Sequence, residues 1–236
     1  MPRSLTENGR TSNSTHSPRA FAGLALIAIV LACGMLVGCS GTHVPDVQIV
    51  ARADWAGPDD NPVMERLVEH EPDRLTVHHA GVMDDGSVAG DEKMRRLYKF
   101  SVKQRPWGDI PYHYVIDRVG CIREGRELKY APDTNTTYDT RGHICICVNG
   151  DLTKQPLMES QYRSLVDLLV KLAADLDIPN DRIVGHQDAA PGETTCPGVL
   201  ENYIKNGWLI EDMESVRAGK PYEFRTTEYV KAKPAD

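Results

Sequence analysis

The chain lacks the marks of a nucleic-acid binder. Its 27 Lys and Arg are outnumbered by 34 Asp and Glu, for a formal charge of -7, and no basic stripe with interleaved aromatics runs through it. Aromatic residues are few at 6%, and no internal repeat is visible. One uncharged run long enough to meet a membrane is present and no second one, which excludes a multi-span membrane protein. With 41% hydrophobic and 26% charged residues, neither wholesale disorder nor a collagen-like rod fits. Cysteine is scarce as well, six in 236 residues, and a body of this length folds without a disulfide staple.

What is present begins with an address. Ala20 to Val37 carries no charge and follows a polar leader whose charges are Arg3, Glu7, Arg10 and Arg19. It closes on Leu36-Val37-Gly38-Cys39, which resembles the bacterial lipobox, where the cysteine receives lipid and becomes the new N-terminus. The expectation is a lipoprotein signal over 1–38, lipid on Cys39 and a linker over 39–48; an uncleaved helical anchor is the other reading. Either one predicts a body exported to the bacterial cell envelope and held at the membrane. Ser40 after the cysteine resembles sorting to the outer membrane, facing the periplasm. Removing 1–38 leaves 24 basic against 33 acidic side chains, so the exported body is the more acidic part. Cys121, Cys145, Cys147 and Cys196 then stand in an oxidising compartment. Cys145 and Cys147 share one strand face and cannot easily join each other. Cys121 can pair with either, or all remain buried thiols.

Along the body, VQIVARADWA (47–56) reads as an entry strand or arm, and RLTVHH (74–79) alternates as a strand does. On that strand Leu75, Val77 and His79 face one side, Thr76 and His78 the other. Residues 91–103 predict a helix. YHYVID (112–117) and CIREGREL (121–128) predict a hairpin turning at Arg118 to Gly120. ICICV (144–148) is apolar throughout, as a central strand is. Over 159–176, Leu165, Leu168, Leu169, Leu172 and Leu176 recur at helical spacing. RIVG (182–185) is a brief strand delivering His186 into a Pro/Gly-rich loop that reaches Cys196. The last stretch, 211–236, is polar with little periodicity and predicts a peripheral tail. Strands alternating with helices predict an α/β fold: a mixed central sheet flanked by helices, in a single domain over 49–210.

Imidazole and thiolate hold borderline-soft metals, and a catalytic zinc takes three protein ligands with a fourth position open. His78, His186 and Cys196 can supply such a set, although their spacing matches no compact zinc-finger pattern. Five segments in order carry a resemblance: IVARADW, LTVHHAG, WGDIPYHYVID with GCIREGREL, ICICVNGDL and IVGHQDAAPGETTCPG. Together they resemble the peptidoglycan recognition protein and type 2 N-acetylmuramoyl-L-alanine amidase superfamily, which includes the phage T7 lysozyme, over about residues 49 to 205.

The resemblance implies a sheet crossed by a groove, and a zinc ion (Zn2+) held by His78, His186 and Cys196. It implies catalytic roles for Tyr112 and Thr194, and hydrolysis of the amide between the lactyl group of muramic acid and L-Ala of the stem peptide. Peptidoglycan or muropeptides are the implied partners, with no nucleic acid. Trp107 ahead of Tyr112 is expected to stack on substrate or pack the groove wall, and His79 to pack or to line the groove for substrate. Arg126 reads as a structural ion pair or a substrate clamp. Where relatives carry Ala-His before the central strand, this chain reads APDTNTTYD, with Asp133 nearest that position. Two rivals remain: a module that binds peptidoglycan without cutting it, and a wall-directed cysteine peptidase.

Overall fold

The computed structural model describes residues 42–229; the expected signal over 1–38 and the lipidated Cys39 lie outside them. β1 (Ile49–Val50) leads into a single helical turn, α1 (Arg52–Trp55). The entry segment is therefore a strand for two residues only. Arg52 ends it by turning its guanidinium onto both oxygens of Asp109 at 2.9 and 3.0 Å, while the Trp55 indole donates to the Glu124 carbonyl at 2.7 Å.

β2 (Arg74–His79), α2 (Gly90–Gln104), β3 (Tyr114–Ile116), β4 (Ile122–Glu124) and β5 (His143–Val148) follow. α3 (Glu159–Asp175), β6 (Ile183–Gly185), α4 (His186–Ala189), α5 (Leu200–Lys205) and α6 (Trp208–Arg217) complete the order. The sheet runs β1-β4-β3-β5-β2-β6. It is mixed: β3 and β4 form the antiparallel hairpin, and every other neighbouring pair is parallel. As expected of strands covered on both faces, β5 is buried at every residue.

The alternation of β2 sets the two layers. Leu75 and Val77 join the core with Leu165, Leu168, Leu169 and Leu172 of α3, all buried. On the other face a smaller cluster joins Met94 and Tyr98 of α2 to Trp55, Val115 and Cys147. Pairing of His78 with Cys147 and of Thr76 with Cys145 puts both cysteines on the His78 face.

All four cysteines in the described residues are free. The disulfide left open for Cys121 does not form, because Cys121 precedes β4 and β3 lies between β4 and β5. Strands two places apart are about 10 Å distant, beyond a disulfide's reach.

The chain from residue 211 is not a peripheral polar tail. α6 carries on to Arg217, and its Leu209, Met213 and Val216 are buried. The period is masked by a core-facing charge: Asp212 is buried, accepts the Tyr162 hydroxyl at 2.6 Å and pairs with Arg225 at 2.9 Å. Beyond the helix, Tyr222 and Phe224 pack on the ring of Tyr162, and the Tyr203 hydroxyl donates to the Arg225 carbonyl. No helix among the described residues is long and apolar enough to cross a membrane.

Candidate metal centre

Each of the three expected ligands is delivered by a different device. His78 is the fifth residue of β2 and is held by the sheet. His186 follows β6 directly and opens α4, where the Gly185 N–H donates to Asp188 Oδ2 at 3.0 Å and closes the turn. A Cβ at Gly185 would stand 2.3 Å from Glu201 Oε2, so glycine lets the Glu201 carboxylate pack close against this turn. Cys196 sits in the loop after α4, where Thr194 Oγ1 accepts the Cys196 N–H at 3.0 Å and the Cys196 sulfur accepts the His79 N–H at 3.2 Å.

These devices converge. One ligand atom each from His78, His186 and Cys196 lies within 4.8 Å of the other two, and all three residues are buried. The two imidazole centroids are 4.5 Å apart, and His78 Nδ1 stands 3.6 Å from the Cys196 sulfur.

The electrostatics fit a cation. Burial drives the His78 pKa well below the usual imidazole range, and His186 down to about 4. Both rings are therefore neutral at pH 7, the form that offers a lone pair to a metal. Burial pushes the Cys196 thiol well up, so a thiolate there needs a positive partner. Two neutral imidazoles and one sulfur make a donor set suited to zinc, and three ligands rather than four are the catalytic number.

Tyr112 joins this centre to an open cavity. Its ring lies 5.4 Å from that of His78, and burial raises its pKa far above the ordinary phenol value, so it stays protonated. It also lines a cavity of about 520 Å³ together with Met94, Phe100, Trp107, Pro111 and Cys147. Trp107 is thus a wall residue, packed edge-on against Phe100 at 6.2 Å.

Two expected residues are committed elsewhere. His79 is buried, and its Nδ1 accepts the Leu152 N–H at 3.0 Å, so packing and hydrogen bonding replace the groove-lining role. Arg126 is buried too, donating to the Ile110 and Asp109 carbonyls at 2.9 and 3.0 Å and pairing with Asp133. It is a structural ion pair.

Sequence reasoning missed a second set of groups behind the ligands. Thr136 Oγ1 lies 2.8 Å from His186 Nε2, and the Cys145 sulfur lies 3.1 Å from His78 Nε2. The one available signal was the spacing of Cys145 and Cys147, which shares a face but does not reveal which strand lies alongside.

Residues 69–199, more than half of the chain, match the family model for N-acetylmuramoyl-L-alanine amidase. The chain belongs to this amidase family. Peptidoglycan-recognition protein SD of Drosophila simulans is 25% identical over 169 residues, spanning 70% of this chain and 88% of that protein. Among solved structures, the N-acetylmuramoyl-L-alanine amidase LysC from Clostridium intestinale superposes with a TM-score of 0.52 at 22% identity, over 69% of this chain and 99% of that one. A Drosophila PGRP-LB mutant solved in complex with tracheal cytotoxin superposes with a TM-score of 0.55 at 19% identity, over 64% and 88%. At these identities the structural likeness establishes the fold, and the family match establishes a peptidoglycan amidase in the general sense.

Proposed function

We propose that the protein is a zinc-dependent N-acetylmuramoyl-L-alanine amidase that hydrolyses the amide between the lactyl group of muramic acid and L-Ala of the stem peptide. The observation that supports it most is the convergence of His78, His186 and Cys196 beside Tyr112 at the wall of a cavity. Those three residues would hold the zinc, which when bound supplies Lewis-acid activation of water and of the amide carbonyl.

The remaining chemistry belongs to the chain. Tyr112, kept protonated by burial, is a hydrogen-bond donor for the oxyanion that develops at the scissile carbonyl. Thr194 accepts the Cys196 N–H through its oxygen, which leaves its own proton free to donate to the same oxyanion. Trp107 and Met94 give the cavity apolar walls against which a muropeptide is held with water excluded. Muropeptides are the proposed ligand class, in line with the cytotoxin complex of PGRP-LB.

The N-terminal segment extends the proposal to location. Export and lipidation at Cys39 would place the enzyme on the periplasmic side of the envelope, at the outer membrane. The apolar run ending in Leu-Val-Gly-Cys supports this, and labelled fatty acid incorporated by the parent and not by Cys39→Ala tests it.

The activity test uses purified sacculi and mass spectrometry. Release of free stem peptide, stopped by a chelator and restored by zinc, is the expected result. Binding to sacculi without release identifies the non-cutting module instead. Chelator-indifferent cleavage blocked by iodoacetamide identifies a thiol peptidase.

A further inference from the structure

The thiol of Cys145 and the hydroxyl of Thr136 have no part in the chemistry above, yet each faces the rear nitrogen of a metal-holding imidazole. We infer that Cys145 and Thr136 are positioning residues, each fixing the tautomer and rotation of one histidine so that its other nitrogen is turned to the metal; the inference rests on the zinc reading.

The two nitrogens of His78 point at two different sulfurs. Nδ1 faces Cys196 at 3.6 Å, and Nε2 faces Cys145 at 3.1 Å. A neutral imidazole carries one proton. With the Nδ1 lone pair given to the metal, that proton sits on Nε2 and is donated to the Cys145 sulfur. Cys145 is placed for this by β5, two residues before the partner of His78 and on the same face. It is 1% exposed, and it is not among the three residues whose ligand atoms converge.

His186 is treated alike. Its Nε2 lies 2.8 Å from Thr136 Oγ1 and, with Nδ1 given to the metal, donates to it; the Thr136 hydroxyl is itself 2.7 Å from Thr134 Oγ1. The same short segment also reaches Cys145 and the loop that carries Cys196. The Tyr138 hydroxyl lies 3.9 Å from the Cys145 sulfur, and the Tyr138 ring stands edge-on to His186 at 5.5 Å. Thr137 donates through its N–H, at 2.9 Å, and its hydroxyl to Glu193, on the loop that carries Cys196. Residues 134–138 thus brace His186 and the cysteine loop directly, and His78 through Cys145.

The test measures zinc affinity in the full-length protein by competition with a chromogenic chelator, and the ligand-field spectrum of the cobalt-substituted form. Cys145→Ala and Thr136→Val should each weaken zinc by about 10- to 100-fold, the usual cost of losing an outer partner. Cys145→Ser, whose hydroxyl still accepts the Nε2 proton, should return to within a few-fold of the parent with an unchanged thiolate-to-cobalt band. Zinc held by Cys145→Ala as tightly as by the parent overturns the assignment of Cys145, and the same result for Thr136→Val overturns that of Thr136. A thiolate band halved in Cys145→Ser also overturns it, because Cys145 would then be a ligand. Should Cys145→Ala fail to fold, the serine variant and the surface-loop Thr136→Val carry the decision. A parent that binds no zinc sinks the zinc reading and this inference together, whereas zinc-tight variants of a zinc-binding parent sink this inference alone.

Discussion

His78 and Cys196 are 118 positions apart in the chain, yet His78 Nδ1 lies 3.6 Å from the Cys196 sulfur, and the His79 N–H also points at that sulfur from 3.2 Å. The sulfur is thus fixed by the end of β2 as well as by its own loop. Cys196→Ser keeps a group that accepts the same N–H, so the domain should remain folded. It removes the soft donor, so zinc content should fall to a small fraction and stem-peptide release by more than about 100-fold. Metal analysis with product mass spectrometry checks this, and full activity in the serine variant would remove Cys196 from the metal set.

Tyr112 has a different signature. Its ring packs against His78 and lines the cavity, while the three convergent ligand atoms belong to His78, His186 and Cys196. Tyr112→Phe keeps the ring and loses only the hydroxyl. Zinc binding and thermal stability should hold near the parent values, while kcat falls by about 10²-fold, as when one oxyanion donor is lost. Unaltered turnover on a defined muropeptide would reduce Tyr112 to packing.

Much of this was legible in the chain. The period-2 pattern of RLTVHH gave the correct face for His78, because adjacent strand side chains must point opposite ways and only one of the two imidazole rings can turn to the Cys196 sulfur. The leucines of α3 announced their helix for the same kind of reason. Two things were not legible. α6 was hidden because Asp212 occupies a core-facing position where a hydrophobic residue is expected, satisfied by Tyr162 and Arg225 from distant segments. The brace at Thr136 and Cys145 was hidden because it depends on β5 lying beside β2, a pairing set by tertiary packing rather than by local pattern.

Gly198 should prove indispensable to the cysteine loop. It adopts φ +65°, and a Cβ there would stand 2.6 Å from the Leu152 carbonyl carbon. Gly198→Ala combines left-handed strain with a backbone clash, a loss on the order of 2–4 kcal/mol, and it displaces Cys196 two residues away. Gly192 is the control. Its φ is +80°, but nothing lies within 4 Å of its Cβ position. Gly192→Ala should cost only about 1–2 kcal/mol and leave zinc affinity intact. Urea midpoints and chelator competition on the two variants check the contrast, and equal effects would contradict it.

Stability should fall on mild acidification in the zinc-free protein. Burial pushes the pKa of His113 down to about 3, and burial followed by the Arg74 charge pushes that of His143 down to about 4. An unfolded histidine titrates near 6.5, so below that pH the unfolded chain takes up protons that the folded chain refuses. Each depressed imidazole therefore gives stability that is complete above about pH 6.5 and drains away as the pH drops towards the folded value. The slope for each approaches about 1.4 kcal/mol per pH unit. The buried His78 and His186 have the same sign, and zinc, which takes their neutral forms and a Cys196 thiolate, removes the thiol proton from the folded state alone and so should raise stability near neutral pH and steepen its loss on acidification. Urea midpoints at pH 7.5, 6.0 and 5.0 should decline steadily without metal and, from a higher start, more steeply at a fixed zinc concentration. His143→Gln should take one imidazole's share out of the metal-free slope. A midpoint that rises as the pH falls from 7.5 to 5.0 would mean that these histidines are charged in the folded state, against their burial.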